Sequence, residues 1–346
     1  MSTTTATHDR STTQAPAVEP PLTFEAVVAA GEVVGRHLAP TPLGAHPLLD
    51  RAVGTAVLVK HEHVLPTGSF KVRGGVHLAA SLTDRERSAG LVTCSTGNHA
   101  QSVAYAARLA GCAVTVVMPA SAPQVKRDAV DALGARVVVH GESLDQAAAH
   151  ARRLAGAADA AGAAPAYVDT TDPRIILGHA TAYLELFRQA PDLATVLVPV
   201  GSGTGAVGAC LVRDALAPGC RVVGVQSSAA PAVHRSWRAG RVESAPATTR
   251  ASGLATASGY PRTLPVLLRG LQDFVLVSDD EIDAAARLLA TTAHTLAEGA
   301  GAAALAGLVA SPVSRSADGS VADGPVAVVC TGGNASVDEI ARLAAG

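Results

Sequence analysis

Apolar positions along this chain follow two rhythms. Short unbroken runs rich in branched residues lie between glycine, proline or polar turns. Alanine-rich stretches with a period near 3.6 separate them. The runs are Ala56–Lys60, Gly90–Cys94, Ala113–Met118, Arg136–His140, Thr195–Val200, Arg221–Val225 and Val326–Val329, and each reads as a strand. The helical spacing predicts helices over Thr23–His37, Asn98–Leu109, Ala122–Leu133, Leu144–Ala155, 205–216 and 279–296. From Gly90 to Ala155 strand and helix alternate strictly, which implies a parallel sheet covered on both faces. A second such series begins at Thr195. The expected architecture is α/β, with two α/β domains and a cleft between them. Residues 1–22 are Ser, Thr, Ala and Pro with scattered charge and predict a disordered tail.

Composition narrows the function classes. A length of 346 residues suggests about two domains. At 48% apolar the chain can build a core, and its 16% charge is below the average of about 25%. Lys+Arg 27 against Asp+Glu 29 gives −2, with no basic cluster, so neither nucleic acid nor an anionic membrane is an expected partner. The five cysteines (94, 112, 210, 220, 330) show no zinc or Cys-x-x-Cys spacing. That predicts no metal site and a reducing, cytoplasmic compartment. The N-terminus lacks an apolar signal region. Leu193–Val212 is uncharged, but Pro199 and four glycines break it into strand, turn and helix.

Four segments at strand–helix junctions carry the candidate chemistry, because open α/β sheets bind ligands outside the carboxyl ends of their strands. Ser69-Phe-Lys71 follows the turn Pro66-Thr-Gly68 and opens a helix. It is either a surface lysine or, with a turn, a hydroxyl and an aromatic before it, a lysine for Schiff-base chemistry. The positive end of the helix dipole lowers such a pKa. Ser95-Thr-Gly-Asn-His99 is either an N-cap or an anion pocket in which backbone N–H groups, two hydroxyls and an amide bind a carboxylate. Gly201-Ser-Gly-Thr-Gly205 suits a phosphate, since glycines let backbone amides approach it at a helix N-terminus. The same segment contains Gly203-Thr-Gly-Ala-Val-Gly208, the letter of a dinucleotide fingerprint. The acid which that fold needs after the next strand is missing, for the strand ends in Gln226-Ser-Ser228. Cys330-Thr-Gly-Gly-Asn334 is either a tight turn or a means of presenting the Thr331 hydroxyl to the same cleft.

In combination these segments resemble the fold-type II pyridoxal-phosphate enzymes, in their serine/threonine dehydratase (ammonia-lyase) branch, over about residues 25–340. The matching motifs are Pro66–Gly75, Ser95–Gln101, Gly201–Thr204, Glu298–Ala302 and Thr331–Asn334, in the family's order. The resemblance implies two open twisted α/β domains of the tryptophan synthase β type, with the cofactor in the interdomain cleft. Residues 23–82 and 164–346 would form the large cofactor-binding domain, and 83–163 the small substrate-loop domain. Lys71 would hold pyridoxal 5'-phosphate as a Schiff base and then act as base on the substrate α-carbon. Phe70 would pack on the cofactor ring, and Asn98 would bond its 3-hydroxyl. Backbone amides of Gly201, Ser202, Gly203 and Thr204 would hold the phosphate. Thr331 would face the pyridine nitrogen, with Glu298 near the ring. Ser95, Thr96, Gly97 and His99 would line the substrate-carboxylate pocket. The implied reaction turns L-threonine or L-serine into a 2-oxo acid and ammonia, in a homodimer or homotetramer.

The chain departs from that pattern in places. Thr96 stands where many dehydratases have alanine and the related racemases serine, so racemase activity, with Thr96 catalytic, is an alternative. Gln226 and Ala232 replace the acids of a divalent-cation site, which is expected to be absent. Leu65 and His179 replace common glutamines. The regulatory domain of the biosynthetic threonine dehydratases, which would follow Gly346, is expected to be absent. Gly224–Ala232, Ser236–Gly240 and Ser95-Thr96 also resemble hydroxyectoine-utilisation dehydratases, which admits a larger 3-hydroxy amino acid as substrate. β-Replacement on the same fold is a further alternative.

Overall fold

The computed structural model describes residues 19–158, 163–310 and 324–345; most of the expected N-terminal tail, 1–18, lies outside the described residues. Among the described residues there are ten strands: β1 (Leu43–Ala45), β2 (Val57–His61), β3 (Leu91–Cys94), β4 (Val114–Met118), β5 (Arg136–Val139), β6 (Ala166–Tyr167), β7 (Thr195–Pro199), β8 (Arg221–Ser227), β9 (Asp273–Val277) and β10 (Val326–Cys330). They form a six-stranded sheet of order β1-β2-β10-β7-β8-β9 and a four-stranded sheet of order β5-β4-β3-β6. Only β1 runs antiparallel to its neighbour; every other pairing is parallel. The central strands explain themselves. Val196, Leu197 and Val198 of β7 are all fully buried, which is the pattern of a parallel strand covered by helices on both faces.

The alternation read from the sequence is present, and the structure adds three strands and several helices. Strands β1, β6 and β9 are short or marginal by pattern. The helix Pro173–Gln189 is buried almost throughout, and Gly299–Ala310 is apolar on every side, so the latter shows no polar face. The predicted helix 279–296 stops at Thr292, because His294 takes a left-handed φ of 50° that a helix cannot hold. No helix among the described residues is long and apolar enough to cross a membrane.

The helix Lys71–Ala80 is wedged between Asn98–Ala110 and Pro173–Gln189. Two adjacent glycines make room for it. A Cβ on Gly75 would stand 2.4 Å from the Ser102 carbonyl, and one on Gly74 would stand 2.7 Å from Nε2 of His179.

One turn along, the fully buried Arg73 makes two forks. Its Nε and Nη2 donate to Glu62 at 2.6 and 2.9 Å, and Nη1 and Nη2 donate to Glu185 at 2.7 and 2.8 Å. Lys60, also fully buried, donates to Glu185 at 3.0 Å and to the Thr41 carbonyl at 2.9 Å. Removing one member of such a set leaves uncompensated buried charge. We therefore expect Arg73→Ala to lower unfolding stability by about 3–5 kcal/mol. Urea denaturation measures this, and a loss below about 1 kcal/mol would mean the network behaves like a surface ion pair.

Candidate active site

The carboxyl ends of β3, β7 and β10 open onto one cavity of about 230 Å³. In both sheets the chain reverses its direction of growth there, since β7 lies between β10 and β8 and β3 lies between β6 and β4. Such switch points are where open α/β sheets take ligands.

Lys71 enters the cavity as the first residue of its helix. The turn before it is sewn to the loop after β10. Phe70 N–H donates to the Thr331 carbonyl at 2.9 Å, Gly333 N–H donates to the Gly68 carbonyl at 2.9 Å, and Ser69 pairs with Gly332. The Lys71 Nζ lies 4.9 Å from the Phe70 ring centroid and 3.4 Å from Thr204 Oγ1. The residue keeps some exposure to the cavity, yet burial of its amine lowers the pKa to about 8. The sequence pointed to the helix dipole as the cause; desolvation is the cause found here.

The glycine loop joins β7 to the helix Thr204–Leu216. Gly203 is the N-cap at φ 86°, and no side chain caps the helix. Its first N–H groups are therefore available to an anion. The loop is held from behind. Thr263 Oγ1 donates to the Ser202 carbonyl at 2.9 Å, and a Cβ on Gly201 would stand 2.4 Å from the Gly253 carbonyl.

Ser95–His99 faces it from the small sheet. Gly97 is the N-cap of Asn98–Ala110, again without a side-chain cap, and donates its N–H to Ser95 Oγ at 3.2 Å. Ser95, Thr96 and Gly97 line the cavity. His99 Nε2 sits 3.2 Å from Thr93 Oγ1. Burial, then the charge of Lys71, lowers the His99 pKa to about 4, so the ring is neutral at pH 7.

At the third side, Glu298 is buried and its Oε1 accepts from Asn98 Nδ2 at 2.6 Å. Asn98 Oδ1 accepts in turn from Asn334 Nδ2 at 2.8 Å. Burial pushes the Glu298 carboxyl up to about 7, with Lys126 and Asn98 acting against it. Thr331 Oγ1 donates to the Ala300 carbonyl at 3.3 Å.

Every residue that the sequence offered for cofactor or substrate binding, Phe70, Lys71, Ser95–His99, Gly201–Thr204, Glu298 and Thr331, lines this cavity. The sequence did not point to Lys126, Tyr260 or the segment 252–256, which line it too. The 3-10 turn Ser252–Leu254 has no motif; it lines the cavity and brings the Gly253 carbonyl against Gly201. Leu65 lies outside, packed with Val34, Val72 and Val76. Gln226 is fully buried, and its Oε1 accepts from His234 N–H at 2.9 Å.

The comparisons agree with this geometry. Residues 34–332 match the model of the pyridoxal-phosphate dependent enzyme family, and the chain belongs to that family. The chain is 33% identical to the L-threonine ammonia-lyase of Thermotoga maritima over 323 residues, covering 93% of this chain and 78% of that one. It superposes on maize serine racemase with a TM-score of 0.85 at 26% identity, covering 92% of this chain and 96% of the other. For threonine deaminase isoform 2 from Solanum lycopersicum the TM-score is 0.83 at 28% identity, covering 94% and 95%. The fold is thus the two-sheet α/β fold of fold-type II pyridoxal-phosphate enzymes, and the cofactor is pyridoxal phosphate. The residues present suit it, since an amine of lowered pKa, an uncapped glycine-rich helix terminus and a buried carboxyl face one cavity.

Glu298 gives this site a pH signature. Its folded pKa is raised, so its stabilising contribution is fully present below the unfolded value of ~4.3 and is lost as pH rises through about 7. Glu298→Gln mimics the protonated form. In cofactor-free protein its Tm should match wild type near pH ~4, exceed it increasingly as pH rises, and level off above about 7. A constant difference across that range would show that the carboxyl does not titrate there.

Proposed function

We propose that the protein deaminates a β-hydroxy amino acid, L-threonine or L-serine, to a 2-oxo acid and ammonia. The observation that carries the reading is the Lys71 amine, lowered to about 8, placed in one cavity with two uncapped helix N-termini. One terminus suits a phosphate and the other a substrate carboxylate. The kinship with L-threonine ammonia-lyases supports the choice of reaction.

When bound, pyridoxal phosphate supplies the electron sink that makes the substrate α-proton acidic. Lys71 is the residue that would hold it covalently, with Gly201, Ser202, Gly203 and Thr204 at its phosphate, Phe70 and Asn98 at its ring and Glu298 nearby. Ser95, Thr96, Gly97 and His99 hold the substrate carboxylate. Lys71 Nζ, as the free amine, takes the α-proton, and that proton returned to the departing β-hydroxyl lets it leave as water. The enamine that is released tautomerises, takes up water and yields the 2-oxo acid and ammonia. Thr331 offers a neutral hydroxyl rather than a carboxylate, so no opposite charge favours protonation of a ring nitrogen there. In this reading residues 23–82 and 164–346 form the cofactor-binding domain and 83–163 the substrate-loop domain. The family likeness also supports a cytoplasmic homodimer or homotetramer.

Racemisation of the same amino acids is a second reading, favoured by one observation: the Thr96 hydroxyl lines the cavity beside the carboxylate loop. Thr96→Ala should then abolish D-serine formation, measured by chiral chromatography, while deamination persists with a raised KM.

For the main reading, L-threonine added to cofactor-loaded protein should change its visible absorption and release 2-oxobutyrate. Lys71→Ala should lose both the band and the turnover while its circular dichroism is unchanged. Deamination that survives Lys71→Ala would sink the mechanism. A band indifferent to L-threonine would redirect the assay to larger 3-hydroxy amino acids.

A further inference from the structure

His179 lies beneath the floor of the cavity on the helix Pro173–Gln189, with no exposed surface. Nothing in the chemistry above uses it. Its Nδ1 is 3.0 Å from Thr204 Oγ1, and the same oxygen is 3.4 Å from Lys71 Nζ. Its ring packs on Phe70 with centroids 4.6 Å apart. Its Nε2 is buried without a hydrogen-bond partner.

Counting hydrogens assigns the roles. A protonated lysine only donates, so the Thr204 oxygen accepts from Lys71. Thr204 has one hydroxyl hydrogen, and the remaining partner for it is His179 Nδ1. The ring must then be neutral, with its own hydrogen on Nε2. The surroundings enforce this. Burial first, then the charge of Lys71, with the neighbouring His99 ring and the charge of Arg73 acting the same way, hold the imidazolium well below its usual range. Those three are the titratable groups that bear on the ring, and the Lys71 carbonyl is the one group acting the other way.

We infer that His179 is a positioning residue: by taking the Thr204 hydroxyl hydrogen, it keeps that hydrogen off the Lys71 lone pair and leaves the deprotonated amine free to attack. The inference rests on Lys71 being the residue that holds the cofactor. Without an acceptor at position 179, the hydroxyl turns to the amine and ties up its lone pair in an O–H···N bond. Attack must then break that bond.

The test uses full-length protein stripped of cofactor. Competitive labelling with acetic anhydride across pH, read by mass spectrometry at Lys71, gives both the reactivity and the titration midpoint of the amine. Capture of pyridoxal phosphate, trapped by borohydride, is measured beside it. His179→Leu should lower the high-pH reactivity of Lys71 about tenfold and move its midpoint down, as a lost hydrogen-bond acceptor implies. His179→Gln, whose amide oxygen can accept the same hydrogen, should restore most of it. Should His179→Leu fail to fold, Thr204→Val carries the test: it removes the hydroxyl, and the amine must label at least as fast as wild type. The inference is overturned if folded His179→Leu labels like wild type, if His179→Gln does not restore reactivity, or if Thr204→Val slows it. Wild-type protein that labels at Lys71 but captures no pyridoxal phosphate there would instead overturn the cofactor assignment, and the labelling would still decide the role of His179.

Discussion

Arg73 carries a full charge into a space closed to water, and the chain around it is arranged to satisfy that charge. Glu62 comes from the turn after β2 and Glu185 from the helix Pro173–Gln189, so the two forks join three elements at one guanidinium. Lys60 adds a second cation on the far side of Glu185. The four charges balance within the core, which is the condition for burying any of them. Lys71 stands two residues before Arg73, so the same clamp that neutralises the core also sets where the cavity lysine emerges. The glycines at 74 and 75 follow from it, because a helix held this tightly between two others has no room for side chains at its contact points.

Desolvation then acts on the cavity in two directions. It pulls Lys71 down to about 8 and pushes Glu298 up to about 7, moving both toward the neutral form. Around pH 7 the cavity holds a cation and a carboxyl that each change charge easily, beside histidines at 99 and 179 that remain neutral. The uncapped helix termini provide fixed positive potential without titrating at all. Fixed positive potential and exchangeable protons thus belong to different kinds of group.

Much of this was legible in the sequence, for definite reasons. The four junction segments are visible because glycine, hydroxyl and amide residues interrupt apolar runs at strand ends, and those ends converge in any open α/β fold. The runs themselves marked seven of the strands. Strand β6 was missed because two residues carry no pattern, and Gly299–Ala310 because a helix buried on all sides has no amphipathic period. The support of the site was hidden more deeply. Thr263 behind Ser202 and Asn334 behind Asn98 act through contacts between residues far apart in the chain. The reason for the low pKa of Lys71 was misread as well, since burial depends on packing that no local spacing reports.

Cys94 closes β3 and its thiol lies on the wall of the same cavity. Thiols and amines both add to aldehydes, so a cavity built to receive an aldehyde must choose between them. Burial raises the Cys94 pKa to about 11, and at pH 7 only about one thiol in ten thousand is a thiolate. With a pKa of about 8, roughly one Lys71 in ten is already the free amine at that pH. The two nucleophiles share a wall, but the packing around strand β3 keeps the sulfur protonated while a fraction of the amine is free.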